Sequence, residues 1–374
     1  MKLLVISSNY PSPQAPQVGT FVYKLMQEFV QLGTDITVIA PKKFSIKKKE
    51  QQHYGQELAK VYRPQKLTFS NKKIGPFNTY HLTNYFQARA IKKTVNNLNE
   101  DFSGVYCHFI SSGLHYYQAF PKSKLPLFIA VGEYHNIDVI RKHYSKKYYN
   151  DFLSKVKGFV AVSPLVQEKL ITLGVPASKI LVAPNGTDLS KFKPRNKLEL
   201  RKKYQLPLDK KIVLFVGRFL ENKGPLRVQD ALNHLSGDAV AVFIGKGPQQ
   251  PTHPKIVFSG TVEHHTVAEY MALADVFVLP TLHEGSSNVI IEAMASGLPI
   301  VSSDIPEIRV QCKPEYAILV DPMNTNDIAK ALNKIMDNDT LRSQMSQSAL
   351  EASKQFDITQ RAQRILAFIK RSRE

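Results

Sequence analysis

The chain has 374 residues, enough for about two domains of ordinary size, and its 43% hydrophobic and 22% charged residues are typical of globular proteins. Its two cysteines, Cys107 and Cys312, lie far apart without metal-ligand spacing, which argues against a disulfide framework or a zinc site. The apolar start ends at Ser7, too early for an export signal, and no run approaches the roughly 18–20 apolar residues of a spanning helix. We therefore expect a cytoplasmic protein.

The net charge of +19 is unevenly distributed. Residues 1–190 contain 25 Lys and Arg against 11 Asp and Glu, whereas residues 191–374 contain 25 against 20. Aromatic residues such as Tyr85 and Tyr148 are interspersed, and this combination suits an anionic membrane face. Nucleic acid is disfavoured because no recognition motif accompanies the charge, and a merely solvated surface stays an alternative. The basic residues cluster at Lys42, Lys43, Lys47, Lys48, Lys49, Lys72, Lys73, Lys92, Lys93, Arg141, Lys142, Lys146 and Lys147.

Short apolar strands alternate with amphipathic helical stretches, which predicts two doubly wound parallel sheets of the α/β class. In the first half, strands are predicted at 3–7, 35–40, 104–109, 127–131, 158–162 and 180–183, with helices at 21–32 and 164–172. In the second half, strands are predicted at 212–216, 240–244, 256–259, 276–279, 300–302 and 317–320, with helices at 266–273, 325–337 and 357–373. We place the domains at 1–190 and 191–355, followed by a C-terminal helix over 356–374, with the seam in the charged stretch 191–211.

Two basic side chains follow the first strand of the second half. Arg218 and Lys223 come after the strand at 212–216 and Gly217, and ligands of doubly wound sheets bind beyond the carboxyl ends of strands. Two fixed cations at that edge could neutralise a diphosphate as it departs. In the first half, Gly19 follows the first strand, and without a side chain it lets backbone approach a phosphate or sugar closely; a plain loop glycine is the alternative.

A second strand-to-helix junction carries two acids. The strand at 276–279 stops at Pro280, and a helix is predicted from about Ser287 to a stop at Gly297. Backbone amides at such a junction attract an anion, above all a phosphate. The acids that flank it, Glu284 and Glu292, would accept hydrogen bonds from sugar hydroxyls. The residues of this predicted phosphate and sugar site are Glu284, Gly285, Ser286, Ser287, Asn288, Val289 and Glu292.

The motif HEGSSNVIIEAMASGLPIVSSD, with its Glu-x7-Glu spacing, resembles the donor site of the retaining family-4 glycosyltransferases, which have the GT-B fold. Three further segments resemble that family in the right order: the opening strand and loop through 6–21, the inter-domain segment 184–192 and the diphosphate loop 215–224. The resemblance implies two Rossmann-like domains that face each other across a cleft. The N-terminal domain would bind the acceptor and the C-terminal domain a UDP- or GDP-linked sugar donor. The C-terminal helix would cross back to the N-terminal domain, although it could instead cover the second domain.

The resemblance also implies roles for individual residues. Glu292 would bind the ribose hydroxyls of the donor, Glu284 the transferred sugar, and the amides of Ser286 through Val289 the distal phosphate. Arg218 and Lys223 would stabilise the leaving phosphate, so that no prosthetic group or metal is required. The family places a histidine near the reacting carbon; His135 matches one alignment of 132–138, Glu133 matches another, and neither is the third possibility.

The implied acceptor is a hydroxyl of a glycolipid or oligosaccharide in surface-polysaccharide assembly, at the inner face of the membrane. The alternatives are a degenerate GT-B scaffold subunit without activity, or a sugar-nucleotide epimerase. A scaffold would be expected to have lost an acid or a member of the Arg–Lys pair. All four residues, Arg218, Lys223, Glu284 and Glu292, are present.

Overall fold

The computed structural model describes residues 1–44, 55–69, 73–74, 77–132 and 136–373. The chain divides into two compact units: unit 1 comprises Met1–Ala183 and Thr359–Glu374, and unit 2 comprises Pro184–Ile358. The stretch 191–211, in which we placed the seam, lies within unit 2, because the boundary falls after Ala183. Four of the clustered lysines, Lys47, Lys48, Lys49 and Lys72, lie outside the described residues.

Unit 1 is built on a parallel sheet. Its strands are β1 (Lys2–Ile6), β2 (Asp35–Ile39), β3 (Lys42–Lys43), β4 (Lys60–Tyr62), β5 (Gln65–Lys66), β6 (Lys73–Ile74), β7 (Phe77–Asn78), β8 (Gly104–His108), β9 (Leu127–Val131), β10 (Val156–Ala161) and β11 (Ile180–Val182). Seven of them form the sheet in the order β11-β10-β9-β8-β1-β2-β4, and every pairing in it is parallel. The six strands predicted from the first half are confirmed, whereas the edge strand β4 was not predicted.

Helices cover both faces of this sheet. They are α1 (Thr20–Gln31), α2 (Thr79–Leu98), α3 (Ile110–Ala119), α4 (Asn136–Arg141), α5 (Lys146–Lys155) and α6 (Pro164–Thr172). Successive strand residues point to opposite faces, so Leu3 and Val5 pack in a core with α1, whereas Leu4 and Ile6 pack in a second core with α2, α3, α5 and α6. This is the doubly wound arrangement that the alternation of strands and helices predicted.

Unit 2 has a six-stranded parallel sheet. Its strands are β12 (Ile212–Val216), β13 (Val240–Ile244), β14 (Ile256–Gly260), β15 (Val276–Leu279), β16 (Ile300–Ser303) and β17 (Ala317–Val320), in the order β14-β13-β12-β15-β16-β17. Its helices are α7 (Lys197–Lys203), α8 (Pro225–Ala231), α9 (His264–Leu273), α10 (Asn288–Ala295), α11 (Pro306–Gln311), α12 (Thr325–Met336) and α13 (Asp339–Ser353). All six predicted strands are confirmed.

The last helix, α14 (Ile358–Arg373), packs on unit 1. Arg364 donates to the Val182 carbonyl at 2.8 Å, and Thr359 donates to the Glu28 carboxylate at 2.8 Å. Its apolar face joins the core that α1 forms with the sheet, where the Phe368 ring lies 6.3 Å from that of Phe128. No helix in the described ranges is both long and apolar enough to cross a membrane.

A buried ion pair fastens the amino ends of β12 and β15, the two strands that lead to the predicted site. The Asp275 carboxylate accepts from the Ile212 amide at 2.8 Å and from Arg201 at 2.7 Å, and it lies 3.1 Å from the Lys197 ammonium. Burial by itself would raise the pKa of Asp275, but Lys197, the Ile212 amide and Arg201 together hold it below its ordinary value.

We expect Asp275→Asn to lower the free energy of unfolding at neutral pH by about 3 kcal/mol, because the buried Arg201 and the partly exposed Lys197 lose their counter-charge. The folded-state pKa of Asp275 is depressed, so its stabilisation is present above the unfolded value of about 3.9 and is lost as the pH falls through the folded value. The difference in the free energy of unfolding between wild type and variant should therefore become smaller in acid. Urea denaturation at neutral and acidic pH measures it, with exposed Asp209→Asn as the control. A difference that does not change with pH would contradict this account.

Candidate donor-binding site in unit 2

The candidate site lies at the carboxyl ends of two neighbouring strands. β12 and β15 pair in parallel, with Val213 opposite Val276 and Leu214 opposite Phe277. The loops that follow them therefore leave the same edge of the sheet, where doubly wound folds bind their ligands. The structure thus brings the loop with Arg218 and Lys223 together with the loop that carries Glu284.

The first loop is held against the end of β13, and this leaves Arg218 at the edge. The Gly217 amide donates to the Ile244 carbonyl at 2.9 Å, and the Phe219 amide donates to the Lys246 carbonyl at 2.9 Å. A Cβ on Gly245 would lie 1.9 Å from the Gly217 oxygen, so only glycine permits this approach. The Arg218 side chain is exposed and has no hydrogen-bond or ion-pair partner among the described residues. Arg218 is thus a permanent positive charge whose hydrogen-bond donors are available.

The two loops are joined by an ion pair between Lys223 and Glu284. Both side chains are largely buried, at 17% and 12% exposure, so the pair is shielded from water. Alongside it, the Asn222 carbonyl accepts from the Leu282 amide at 2.8 Å and from the Thr281 hydroxyl at 3.0 Å. The sequence motifs assign Lys223 and Glu284 to different parts of a ligand and do not pair them with each other. An ammonium has three donors, so Lys223 can hold Glu284 and an anion together.

Arg227, on α8, was not identified from the sequence, yet it supports both loops. Its guanidinium donates to the Pro280 carbonyl at 2.8 Å and to the Glu221 carboxylate at 2.8 Å, and the residue is only 7% exposed. Gly224 precedes α8 with φ 75°, and a Cβ there would lie 2.7 Å from the Arg227 guanidinium. Position 224 therefore requires glycine for two reasons: the positive φ, and the lack of space for a Cβ. No spacing in the sequence distinguishes Arg227 from the other basic residues.

The third part of the site is the amino end of α10. The N-cap residue Ser287 donates its amide to the Gln311 side chain at 2.9 Å, and Gln311 donates to the Ser287 carbonyl at 2.8 Å. Of the amides predicted to hold a phosphate, that of Ser287 is therefore already bonded. The next amides, those of Asn288 and Val289, find no acceptor within the described part of the chain. They lie at the positive end of the helix dipole, which favours an anion.

Ser286 is fastened by a residue from the start of unit 2. The Asn185 amide donates to the Ser286 hydroxyl at 3.3 Å, and the Asn185 side chain donates to the Ser286 carbonyl at 3.1 Å. Asn185 belongs to the segment that resembles the inter-domain region of the family, but no role was assigned to it from the sequence. The structure gives it one: it fixes the backbone immediately before α10.

Glu292 lies in the second turn of α10 and is half-buried. The helix ends as predicted at Gly297, which has φ 75° and donates its amide to the Met294 carbonyl at 2.9 Å. Ser296, on the same side, donates its hydroxyl to the Glu292 carbonyl at 2.9 Å, so that hydroxyl is engaged by the backbone. The Glu292 carboxylate is therefore the acid that α10 contributes to this part of unit 2.

In unit 1, Gly19 is the N-cap residue of α1 with φ 69°, and a Cβ there would lie 2.1 Å from the Asn9 carbonyl oxygen. The position is thus restricted to glycine by both backbone and packing. His108 is 2% exposed, and burial, followed by the Arg361 charge, lowers its pKa to about 3, so it is neutral at physiological pH. His135 and Glu133, the two candidates for the reacting carbon, lie outside the described residues.

Phe109 is an unexpected feature at the end of β8. Its backbone has φ 74° and ψ 150°, a region that glycine alone adopts readily and that costs other residues about 1–3 kcal/mol. Its ring lies 4.9 Å from that of His108 and 6.3 Å from that of Phe21. Strain of this kind persists only where the surroundings fix it, and it concentrates at functional sites. No sequence pattern predicts it.

The two halves of the chain match two family models. Residues 196–352 match the model described as glycosyl transferases group 1, and residues 18–191 match the model described as glycosyltransferase family 4.

Curated relatives of known name cover much of the chain. A protein of Bacillus subtilis (strain 168), named for teichuronic acid biosynthesis as glycosyltransferase TuaC, is 31% identical over 89% of this chain and 89% of its own length. The N,N'-diacetylbacillosaminyl-diphospho-undecaprenol alpha-1,3-N-acetylgalactosaminyltransferase of Campylobacter jejuni is 28% identical over 80% of this chain and 83% of its own. An Escherichia coli galactosyltransferase named for UDP-Gal and GlcNAc-diphosphoundecaprenol is 30% identical over 52% of this chain and 54% of its own.

Solved structures show the same fold at lower identity. Sucrose-phosphate synthase from Thermosynechococcus elongatus superposes with a TM-score of 0.79 at 18% identity, over 99% of this chain and 98% of that one. Anabaena HepE in complex with UDP-glucose superposes with a TM-score of 0.73 at 17% identity, over 99% of each chain. The fold is therefore GT-B, with two Rossmann-like units, as the sequence motifs predicted.

The two hydrogen bonds between Ser287 and Gln311 provide a test of how the amino end of α10 is held. We expect Gln311→Leu to lower the free energy of unfolding by about 2 kcal/mol, because the buried Ser287 amide loses its acceptor and the Ser287 carbonyl keeps only the Ile291 amide as a donor. Gln355→Leu is the matched control, since Gln355 is exposed and its side chain bonds only a local carbonyl. Urea denaturation compares the two, and an equal effect of both variants would contradict the role given to Gln311.

Proposed function

This chain belongs to the glycosyltransferases of group 1 and family 4, and from that premise we propose that it transfers a sugar from a nucleoside-diphosphate donor to a hydroxyl acceptor with retention of configuration. The observation that carries the proposal is the arrangement at the ends of β12 and β15. Arg218 and the amides of Asn288 and Val289 have no hydrogen-bond partner among the described residues, and they lie with the Lys223–Glu284 pair on the loops and the helix start that follow these two strands.

The donor diphosphate would lie between Arg218, Lys223 and the amino end of α10. A diphosphate carries negative charge that a helix end and two cations stabilise, and Arg218 can bind it with two parallel hydrogen bonds. Glu292 would accept hydrogen bonds from the ribose hydroxyls, and Glu284 from the hydroxyls of the sugar to be transferred. Gly285, Ser286 and Ser287 would shape the loop, and the Ser287 amide would stay bonded to Gln311 and would not contact the phosphate.

In the reaction, the acceptor oxygen forms a bond to the anomeric carbon on the face from which the bond to the phosphate oxygen breaks. The nucleoside diphosphate leaves with the bonding electrons, and one of its phosphate oxygens takes the proton of the acceptor hydroxyl. Arg218, Lys223 and the α10 amides stabilise the charge that develops on the leaving group, which is preorganised electrostatic catalysis. Because these groups supply positive charge, we propose that no metal is required.

The acceptor proposed is a lipid-linked saccharide in the synthesis of a surface polysaccharide. Three observations support it: the names of the Bacillus, Campylobacter and Escherichia relatives, the charge of unit 1, and its exposed aromatic side chains. A basic surface favours an anionic membrane by about 1 kcal/mol per Lys or Arg near it. We therefore place the protein in the cytoplasm, peripherally at the inner face of the membrane.

We expect either UDP or GDP to raise the free energy of unfolding by about 2.7 kcal/mol at a hundredfold excess over its Kd, measured by thermal denaturation. Arg218→Ala and Glu292→Ala should abolish the shift, because each removes a direct contact to the nucleotide.

The matched controls are Lys334→Ala and Glu315→Ala, which remove the same charges from exposed positions of unit 2 outside the site. Both controls should keep the full shift. No shift with either nucleotide in the folded wild type, or an unchanged shift in Arg218→Ala, would overturn the donor site.

We expect Arg218→Ala to lower kcat, measured as the release of nucleoside diphosphate, by about 10²–10³-fold. This is the loss typical when one preorganised hydrogen-bond donor to a developing oxyanion is removed.

The product from an α-linked donor should be α-linked by NMR, and EDTA should leave the rate of the wild type unchanged. An inverted product would contradict the same-face mechanism, and a rate lost with EDTA and restored by a divalent cation would contradict metal independence.

A further inference from the structure

The turn that follows β15 is held by side chains from neighbouring elements. The backbone carbonyls of residues 279–281 accept hydrogen bonds, in chain order, from Ser302 at 2.8 Å, from Arg227 at 2.8 Å and from Ser303 at 2.6 Å. Ser302 and Ser303 are the last residues of β16, which pairs in parallel with β15. Three successive carbonyls that each have a side-chain donor fix the direction in which the chain leaves the strand. This turn therefore sets the path of the loop that carries Glu284.

Thr281 joins this turn to both members of the ion pair. It is 0% exposed, and its hydroxyl lies 3.0 Å from the Asn222 carbonyl oxygen and 3.1 Å from the His283 carbonyl oxygen. The single hydroxyl hydrogen is shared between these two acceptors. Asn222 immediately precedes Lys223, and His283 immediately precedes Glu284. One hydroxyl therefore fixes the backbone beside the lysine and beside the carboxylate.

The backbone beside Lys223 is also held by other hydrogen bonds. The Leu282 amide donates to the Asn222 carbonyl at 2.8 Å, and the Lys223 amide donates to the Leu220 carbonyl at 2.9 Å. These two bonds do not involve the Thr281 hydroxyl. We therefore expect removal of that hydroxyl to shift the backbone beside the carboxylate more than the backbone beside the lysine.

Thr281 and Ser303 can act on a ligand only through other residues. Both are 0% exposed, so neither side chain has surface at which a ligand could touch it. What they determine is the position of the Glu284 loop. Position matters for a carboxylate that binds sugar hydroxyls, because a misplacement of about 1 Å can cost about 10²-fold in rate.

We propose that Thr281, with its carbonyl held by Ser303, is a positioning residue that sets the Glu284 carboxylate for the hydroxyls of the transferred sugar. This inference rests on the proposed function, in which Glu284 contacts that sugar. The α10 amides and Glu292, proposed for the phosphate and the ribose, follow a helix start that Gln311 holds separately. Loss of the Thr281 hydroxyl should therefore weaken the binding of the sugar and spare that of the nucleoside diphosphate.

The experiment compares the Kd of a nucleoside diphosphate with the Kd of its sugar nucleotide, by titration calorimetry. The probes are UDP with UDP-glucose and UDP-N-acetylglucosamine, and GDP with GDP-mannose. Thr281→Val has the same shape without the hydroxyl, whereas Thr281→Ser keeps the hydroxyl. We expect Thr281→Val to raise the Kd of the sugar nucleotide about tenfold and that of the diphosphate less than about twofold, because only the sugar loses a hydrogen bond to a charged group. Thr281→Ser should stay within about threefold of wild type for both ligands.

Ser303→Ala is a second variant that disturbs the same hydrogen bonds from the other end. It should raise the same Kd, and its effect should not add fully to that of Thr281→Val, because both variants act on one connected set of contacts. The matched control is Thr340→Val, at an exposed position of α13, which should leave both Kd values within about twofold of wild type. Thermal denaturation without ligand checks that every variant is folded.

Two results of the titrations would overturn the proposal. An equal rise of both Kd values in Thr281→Val would mean that the hydroxyl supports the whole site and not the sugar contact. An unchanged Kd of the sugar nucleotide would mean that Glu284 keeps its position without it.

Amide hydrogen exchange without ligand separates this proposal from the donor site on which it rests. Exchange over residues 282–286 should be about tenfold faster in Thr281→Val than in wild type, and unchanged in Thr340→Val. Unchanged exchange in Thr281→Val would overturn the positioning role, whatever the protein binds. Faster exchange in a protein whose wild type binds none of the five nucleotides would leave the positioning of the loop standing and overturn the donor site.

Discussion

The candidate site depends on one constraint, the junction of the loops that follow β12 and β15. Parallel strands bring those loops to the same edge, but strand pairing alone does not fix their conformation. Four contacts do so: Arg227 donates to the Pro280 carbonyl, the Thr281 hydroxyl and the Leu282 amide both donate to the Asn222 carbonyl, and Lys223 pairs with Glu284. Arg218 takes no part in these contacts and has no partner among the described residues. Its charge is therefore available to a ligand, while the contacts between the two loops fix their conformation.

The same constraint explains why the two acids of the Glu-x7-Glu motif have different surroundings. Glu284 lies in the junction and is paired with Lys223, whereas Glu292 lies inside α10, in its second turn. A carboxylate beside a lysine is well placed to bind sugar hydroxyls without repelling a nearby diphosphate. Under the proposed function, Glu292, one turn or more further along, would bind the hydroxyls of the ribose, and the two acids would have separate roles.

Much of this was predictable because it depends on local patterns. The strands were found from apolar runs, the α10 stop from Gly297 and Pro299, and the fold from motifs that resemble a known family. The long helix α2 was not predicted, because its sequence mixes apolar and polar residues without a strong period and its outer face is basic. Arg227, Gln311 and Asn185 act through partners more than 20 residues away, except for the Arg227–Glu221 bond. Such partners become visible only when the chain is folded, and so does the strained backbone of Phe109.

The basic residues of the two units have different surroundings. In unit 2, Lys223 is paired with Glu284, Arg201 and Lys197 share Asp275, and Arg218 is exposed. Unit 1 instead presents an acid-free helix, α2, whose cations line a pocket next to exposed apolar side chains. Most of the excess positive charge therefore lies outside the unit that carries the candidate donor site.

The central claim, that unit 2 binds a nucleoside diphosphate at the loop junction, is tested most directly by a crystal structure of the protein with UDP or GDP, whichever stabilises it. The account predicts that the distal phosphate accepts hydrogen bonds from the Asn288 and Val289 amides and from Arg218, with the ribose hydroxyls on Glu292. It also predicts that the Ser287 amide stays bonded to Gln311. A nucleotide bound elsewhere, or one whose phosphates contact neither Arg218 nor α10, would contradict it.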